Sequence, residues 1–536
     1  MKNKSYLTKL FLLMLMSIVS DIQSQELEIN QGPFKPSWES LKSYQTPEWF
    51  RDAKFGIWAH WGPQCEPEAG DWYGRNLYIE GHQQNKIHNE KYGHPSEFGF
   101  KDVINQWKAN KFNPQELLTL YKNAGAKYFV AMANHHDNFD LWNSKYQPWN
   151  VLNMGPKRNI IQDWDNATKK VGLRFGVSIH ASSAWSWYEV AQLSDKSGPK
   201  AGITYDGNLT KADGKGKWWE GYDPQDLYAQ YRHKISPDVL NRRLAWSNPG
   251  DAPSKEYLLK FYNRVRDVVQ QHQPDLVYFD DSHLPLNHES PTYGLHLAAD
   301  IYNGNIKRNG KNEAVINTKS LTEEEKKCLI NDLEVGTERN ITAVPWQSDA
   351  CIGSWHYKKD VKYKDAKSVI HALADVVSKN GNLLLSVPIR ADGTIDEDEK
   401  EILKGIGEWL AINGEAIYNT RPWTVYGEGP SIADKTPNNS KGNMPLYRKA
   451  PYTPADFRFT RNKNVLYAIG MAWPEDHKII ISSISDKLIK DKFKVSLLGS
   501  QENLKYKLTA AGLEISLPVQ KPNVIAYAIK IDGLLN

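Results

Sequence analysis

The chain has 536 residues with 67 basic and 63 acidic side chains, a net charge of +4, and this near balance argues against a nucleic-acid binder. Its three cysteines, Cys65, Cys328 and Cys351, are too few and too scattered for a disulfide framework or a zinc site; at most one bridge is possible, and none is expected. The 19 tryptophans and 27 tyrosines offer flat faces that stack on sugars, and they suit an aromatic-rich core equally well.

The chain opens on Met1-Lys2-Asn3-Lys4 and Lys9, followed by an apolar run from Leu10 to Val19 and a small polar exit from Ser20 to Gln25. A basic start, an apolar core too short to span a bilayer and such an exit predict a secretory signal peptide over residues 1–25. The protein is therefore expected to be exported, to a periplasm or to the exterior. No Cys near the exit offers an acylation site, and no later stretch approaches the roughly 18 apolar residues of a membrane span.

Lys54-Phe55-Gly56-Ile57-Trp58-Ala59-His60 reads as an apolar strand closing on His60. In the loop Gly70-Asp71-Trp72-Tyr73-Gly74, Asp71 and Trp72 either face a sugar or plug the loop onto the core. Asn113 as N-cap, Pro114 at the first position and Gly125 as a stop predict a helix. The strand after it ends in Asn134-His135-His136-Asp137. A metal site is the rival reading for those last residues. Neighbours on an extended strand point to opposite faces, however, so the two imidazoles are not expected to share an ion, and no metal or other cofactor is expected. Trp164 to Val171 reads as a helix stopped by Gly172, and Leu173 to His180 as the next strand, again ending on His. Residues 182–247, polar and rich in Gly, Lys and Trp, read as a long insertion that shapes a pocket.

Ser254 to His272 is an amphipathic helix that delivers the chain to Pro274-Asp275-Leu276-Val277-Tyr278-Phe279-Asp280-Asp281. An acid at the C-terminal end of a buried strand sits where barrel enzymes keep their chemistry, which makes Asp280 a candidate nucleophile; the alternative is that it caps the next segment. A helix over Ala298–Lys307, a strand over Glu313–Asn317, the acid-rich segment Asp332–Asn340, a helix over Val369–Lys379, a strand over Asn382–Pro388 and a helix over Glu397–Asn413 continue the alternation. The pattern predicts an α/β fold, a catalytic (β/α)8-like barrel whose strand ends carry His60, His135, His136, His180, Asp280 and Glu338. Beyond Arg421-Pro422-Trp423, short alternating runs at 465–469, 478–482 and 524–529 predict a small C-terminal antiparallel β-sandwich. The expected domains are 26–423 and 424–536. Two carboxylates on different strand ends, among histidines and aromatics, form the set that glycoside hydrolysis requires.

The blocks Lys54 to Gly62, Asn134 to Asp137, Tyr278-Phe279-Asp280, Pro345-Trp346-Gln347, Gly353 to Tyr357 and Asn413 to Trp423 stand in one order. On these blocks the chain, from Trp49 to Trp423, resembles the α-L-fucosidases of glycoside hydrolase family 29. The resemblance implies Asp280 as nucleophile, His60, His135 and His136 as pocket histidines binding sugar hydroxyls, and Asp71 with Trp72 as an acid-aromatic pair on the sugar. It also implies retention of anomeric configuration through a covalent glycosyl-enzyme. Tyr278 and Trp346, and His180 where the family often has Tyr, join the substrate-binding candidates. Two further departures are Asp281, where Gly or Met is common, and Gln347, where Trp-Glu would supply another acid. Glu338, beside Arg339 and between the nucleophile and the Trp346 block, is the expected acid/base, with Glu334 as competitor. The expected reaction is exo-acting release of terminal α-L-fucose from oligosaccharides or glycoconjugates. An exo-α-L-galactosidase is the nearer alternative, because the two sugars differ by one hydroxyl at carbon 6 that a hydrophobic pocket rejects only weakly. A non-catalytic carbohydrate-binding barrel is the remaining one, and the presence of Asp280 counts against it.

Overall fold

In the computed structural model, which describes residues 27–230, 253–288, 290–433, 443–485 and 493–534, eight parallel strands close into a barrel. They are β1 (Phe55–Ala59), β2 (Tyr128–Asn134), β3 (Arg174–Ile179), β4 (Leu276–Ser282), β5 (Val315–Lys319), β6 (Ile330–Asp332), β7 (Trp346–Cys351) and β8 (Gly381–Ser386). A parallel barrel buries its strands on both faces, and β1, β2, β7 and β8 are buried at every position. The expected signal segment and residues 231–247 of the expected insertion lie outside the described residues. Among the described residues no helix is long and apolar enough to cross a membrane.

Around the barrel run α1 (Pro114–Asn123), α2 (Ile160–Val171), α3 (Lys255–His272), α4 (Pro291–Asn309), α5 (Ala366–Ser378) and α6 (Glu397–Asn413). The side chains of Asn113, Asn159, Ser254 and Asp365 accept backbone N–H groups that would otherwise be unpaired at the helix starts. Several expected boundaries move: α2 begins at Ile160 rather than Trp164, α5 at Ala366 rather than Val369, and β8 runs from Gly381 to Ser386. α4 begins at Pro291, seven residues before the expected start, with Tyr293 and Leu295 of its first turns packed on the core. β5 runs two residues further than the apolar run, so its rim position falls on Lys319.

The barrel interior is polar near its floor, and one glycine makes that possible. A Cβ on Gly56 would lie 2.4 Å from a ring carbon of Tyr128. Glycine there lets Tyr128 cross the interior and donate its hydroxyl to Gln347 Oε1 at 3.0 Å.

The C-terminal region forms β9 (Arg421–Glu428), β10 (Phe457–Asn462), β11 (Val465–Gly470), β12 (Lys478–Ile481), β13 (Lys494–Leu497), β14 (Lys505–Thr509), β15 (Gly512–Ser516) and β16 (Tyr527–Asp532). They pair as a five-stranded antiparallel sheet, β9-β10-β11-β16-β13, and a three-stranded one, β12-β15-β14. Phe457, Phe459 and Leu466 from the first and Ile479, Ile481 and Leu513 from the second share one core, the two-layer arrangement of a sandwich. Arg421 to Trp423 lie in β9 and so belong here, not to the barrel domain assigned from sequence. The last strand is also shifted three residues from the expected 524–529; Val524 is 87% exposed. Arg458 of β10 ties this domain to the barrel by donating to Asp375 Oδ1 on α5 at 2.6 Å. The same carboxylate accepts from Lys379 Nζ at 2.6 Å and from the Thr337 hydroxyl at 3.2 Å.

Candidate active site

Along β4 successive side chains alternate, so Tyr278 and Asp280 share the inward face and Phe279 and Asp281 point away. Asp280 is 21% exposed, at the C-terminal mouth. Its Oδ1 takes a hydrogen bond from Lys319 Nζ, its Oδ2 lies 3.1 Å from His180 Nδ1, and His136 Nε2 stands 3.8 Å away. Burial alone would raise this carboxyl. Lys319, His180 and His136 overcome it and hold Asp280 well below the usual carboxylate range. Asp281 does other work: Ser182 donates its hydroxyl to the carboxylate at 2.6 Å, anchoring the start of the insertion to β4.

Five imidazoles line the mouth. His60 follows β1, His180 follows β3, and His356 sits in the loop after β7. His135 and His136 lie beyond the end of β2 in a turn closed by the Asn138 N–H on the His135 carbonyl at 3.0 Å. Their ring centroids are 4.7 Å apart. The expectation that they point to opposite faces fails because the strand stops at Asn134 and the turn brings both rings into the mouth. Burial is the main cause that lowers His60 and His135 far below the ordinary value and pushes His136 down to about 4, which favours the neutral form of these rings. Gln64 Nε2 lies 3.0 Å from His135 Nδ1, which leaves Nε2–H of that ring as a donor. Asp71 Oδ1 lies 2.5 Å from His356 Nδ1, leaving His356 Nε2 as an acceptor, buried and unpartnered among the described residues. The walls are aromatic. Trp58 packs 3.9 Å from His60 and 4.6 Å from Tyr278, Trp72 stands 5.6 Å from His136, Trp355 5.0 Å from His60, and Trp187 of the insertion 6.1 Å from His136, all between centroids.

On the opposite side, Lys319 Nζ reaches Glu334 Oε2 at 2.6 Å. One ammonium therefore touches both Glu334 and Asp280. Two residues past the end of β6, Glu334 lies on a stretch that still runs beside β7, where Leu333 N and Val335 N bond the carbonyls of Gln347 and Asp349. The chain then turns outward and heads back towards the start of β7. Glu338, the acid/base expected from sequence, lies on that return, where its charge acts on Lys379; it shares with Glu334 a cavity of about 260 Å³, but among the described residues Asp280 and Lys319 pair with other groups and not with it. Trp346 is misplaced by the sequence reading as well. It opens β7 at the far end of the barrel and donates its indole N–H to the Lys379 carbonyl at 3.0 Å. Tyr278 is a floor residue whose hydroxyl lies 3.2 Å from Asp332 and 3.3 Å from Asp349.

Lys319, His356, Trp58 and the pair Asp332 and Asp349 were not singled out from sequence. Lys319 had a signal, since Val315, Asn317 and Lys319 alternate; the strand was ended where its apolar residues stop. Among the described residues three sets of groups have ligand atoms close enough to hold an ion: His60 with His135 and His180, Asp71 with His135 and His356, and His136 with His180 and Asp280. The mixture of neutral ring donors and acceptors beside aromatic faces suits a polyhydroxylated ligand equally well.

The α-L-fucosidase family model matches residues 21–415, and that of the α-L-fucosidase C-terminal domain matches 452–532. The chain belongs to glycoside hydrolase family 29, the α-L-fucosidases. Among relatives, this family 29 chain is 26% identical over 521 residues to the tissue α-L-fucosidase of Homo sapiens, covering 94% of this chain and 92% of that protein. The crystal structure of Thermotoga maritima α-fucosidase in complex with fucose is similar at a TM-score of 0.67 and 26% identity, covering 93% of this chain and 99% of that one. The Thermotoga enzyme in complex with a mechanism-based inhibitor matches with the same score and identity, over 93% of this chain and 100% of that one. Family membership, an eight-stranded barrel and a C-terminal antiparallel domain thus agree with the fold read from sequence.

Proposed function

We propose that this enzyme releases terminal α-L-fucose by double displacement, with Asp280 as nucleophile and Glu334, not Glu338, as acid/base. The observation that carries the assignment is Lys319, whose single ammonium contacts both carboxylates. Two hydrogen bonds to one nitrogen limit the separation of the facing oxygens to about 5 Å, the spacing of retaining rather than inverting glycosidases.

In the first step the ionised Asp280 attacks the anomeric carbon, the glycosidic C–O bond breaks, and Glu334 gives its proton to the departing oxygen. In the second, Glu334 takes a proton from water, the water oxygen attacks the anomeric carbon, and the bond to Asp280 breaks. His135 Nε2 as donor and His356 Nε2 as acceptor suit the ring hydroxyls, and Trp58, Trp72 and Trp355 supply apolar faces. The cavity shared by Glu334 and Glu338 is placed to receive the leaving group.

A 2-deoxy-2-fluoro-α-L-fucosyl donor with a good leaving group tests the reading. The sugar should be recovered on the peptide carrying Asp280, and aryl α-L-fucoside should be cleaved faster than aryl α-L-galactoside. Labelling at Asp281, or no covalent adduct, would overturn the nucleophile; preference for the L-galactoside would change the substrate class.

A further inference from the structure

Beneath the reacting carboxylates lie two acids that the double displacement does not use. Asp332, at the end of β6, and Asp349, in β7, are 2% and 1% exposed. Their carboxyls converge on the Tyr278 hydroxyl, and two ionised carboxylates buried side by side repel, which favours a proton on one of them. The Tyr278 hydroxyl sits 3.2 Å from Asp332 Oδ2 and 3.3 Å from Asp349 Oδ2. Gln347 Nε2 donates to Asp332 Oδ1 at 2.9 Å, and the Tyr128 hydroxyl fixes which way that amide points. Asp349 Oδ2 lies 4.0 Å from Lys319 Nζ. Burial, the largest cause, pushes Asp349 up to about 6 and raises Asp332 well above the usual carboxylate range.

The general acid has an electrostatic difficulty. It must keep its proton until the glycosidic bond breaks, yet Glu334 lies 2.6 Å from an ammonium, which favours the ionised form. The groups facing it are Lys319 from β5, Asp280 from β4, Asp332 and Asp349 from β6 and β7, and Lys326 and Glu338 across the cavity. The imidazoles of His136 and His180 lie on the far side of Asp280. A negative charge under Lys319 is what can restore the balance.

We propose that Asp332 and Asp349 share one proton and thereby keep one negative charge buried beneath Lys319, which offsets the ammonium and holds the proton on Glu334. The proposal rests on Glu334 being the acid/base. Both aspartates are positioning residues: they act through Lys319 and touch no substrate.

Sharing a proton has a signature in mutants. Asp332→Asn or Asp349→Asn alone removes a proton but not the charge, because the remaining carboxyl ionises; only the double variant removes the charge. With a fucosyl oligosaccharide, whose leaving group needs protonation, the alkaline limb of kcat/KM should stay within about 0.3 pH unit of wild type in each single variant and fall by about one unit in the double. With an activated aryl fucoside, which needs no acid, the limb should stay in place in all three. A single variant that moves the limb as far as the double, or a double that leaves it unmoved, overturns the proposal. A second readout needs no activity. Infrared difference spectra between wild type and Asp349→Asn at neutral pH should lose a protonated carboxyl band and no carboxylate band; loss of a carboxylate band overturns the shared proton. Azide rescue of Glu334→Ala separates the two levels, since its failure beside the expected infrared result removes Glu334 as the target while the shared proton stands.

Discussion

His180 Nδ1 lies 3.1 Å from Oδ2 of Asp280, on the carboxylate oxygen that Lys319 does not hold. An ionised carboxylate only accepts, so the ring donates, and the two contacts fix the plane of Asp280 from both sides. Asp280→Asn should therefore fold normally and lose turnover. His180→Ala keeps the nucleophile but frees one oxygen, and kcat/KM should drop by about a hundred-fold with the melting temperature little changed. A His180→Ala enzyme of wild-type activity would show that Lys319 suffices to orient the attack.

Glu334 and Glu338 are separated by azide rescue. Glu334→Ala should slow cleavage of a fucosyl oligosaccharide by about 10²–10⁴-fold and glycosylation by an activated aryl fucoside much less. Azide then attacks the covalent intermediate without needing a base, and two inversions give the α-fucosyl azide. Glu338→Ala should be near wild type on both substrates. α-Azide from the Glu338 variant, with none from the Glu334 variant, would return the role to Glu338.

Lys319 lowers the Asp280 carboxyl, and Asp280 must be ionised to attack. Removing the ammonium raises that carboxyl, so in Lys319→Met the acid limb of kcat/KM should move to higher pH by about one to two units. An acid limb that stays in place would mean the two histidines alone keep Asp280 ionised.

Activity should survive prolonged EDTA treatment, because one ring nitrogen each of His135, His180 and His356 already has an amide or carboxylate partner that orients the ring towards a sugar. Loss of rate that a divalent ion restores would mark one of the three imidazole sets as a metal site.

Much of the barrel was legible because β1 to β4 and β8 are largely apolar runs closing on polar residues and α1, α2, α3 and α5 start at a capping side chain; α6 falls on the expected residues, and His60, His180 and Asp280 stand at the expected mouth. What escaped detection lies where strands and apolar runs part company. β5 ends on Asn317-Thr318-Lys319, polar residues inside a strand, so the strand expected over Glu313–Asn317 stops short of Lys319. β6 is three residues long, with no periodicity to show where the chain stops rising and turns back, and the choice between Glu334 and Glu338 depends on that turn. Trp346 drew attention as an aromatic in a recognisable block, but the block begins at the wrong end of its strand. Asp332 and Asp349 come from different strands, so only the closed barrel shows that they meet.

The tie between Arg458 and Asp375 reaches further than the join between two domains. Asp375 also holds the Thr337 hydroxyl, three residues past Glu334, and Gly336–Thr337 pair with Met444–Pro445 while Leu446 N bonds the Val335 carbonyl at 3.1 Å. The loop that carries Glu334 is thus clamped from outside the barrel, by the chain leading into β10 and by β10 itself. If Glu334 is the acid/base, the C-terminal domain braces the group on which proton transfer depends. Arg458→Met, far from any sugar, should lower kcat on oligosaccharides more than it raises KM, and Asp375→Ala, which strands two buried cations, should cost about 3–5 kcal/mol of stability besides. A substitution in this sheet that displaces Arg458 therefore also disturbs the Asp375 carboxylate that holds Thr337.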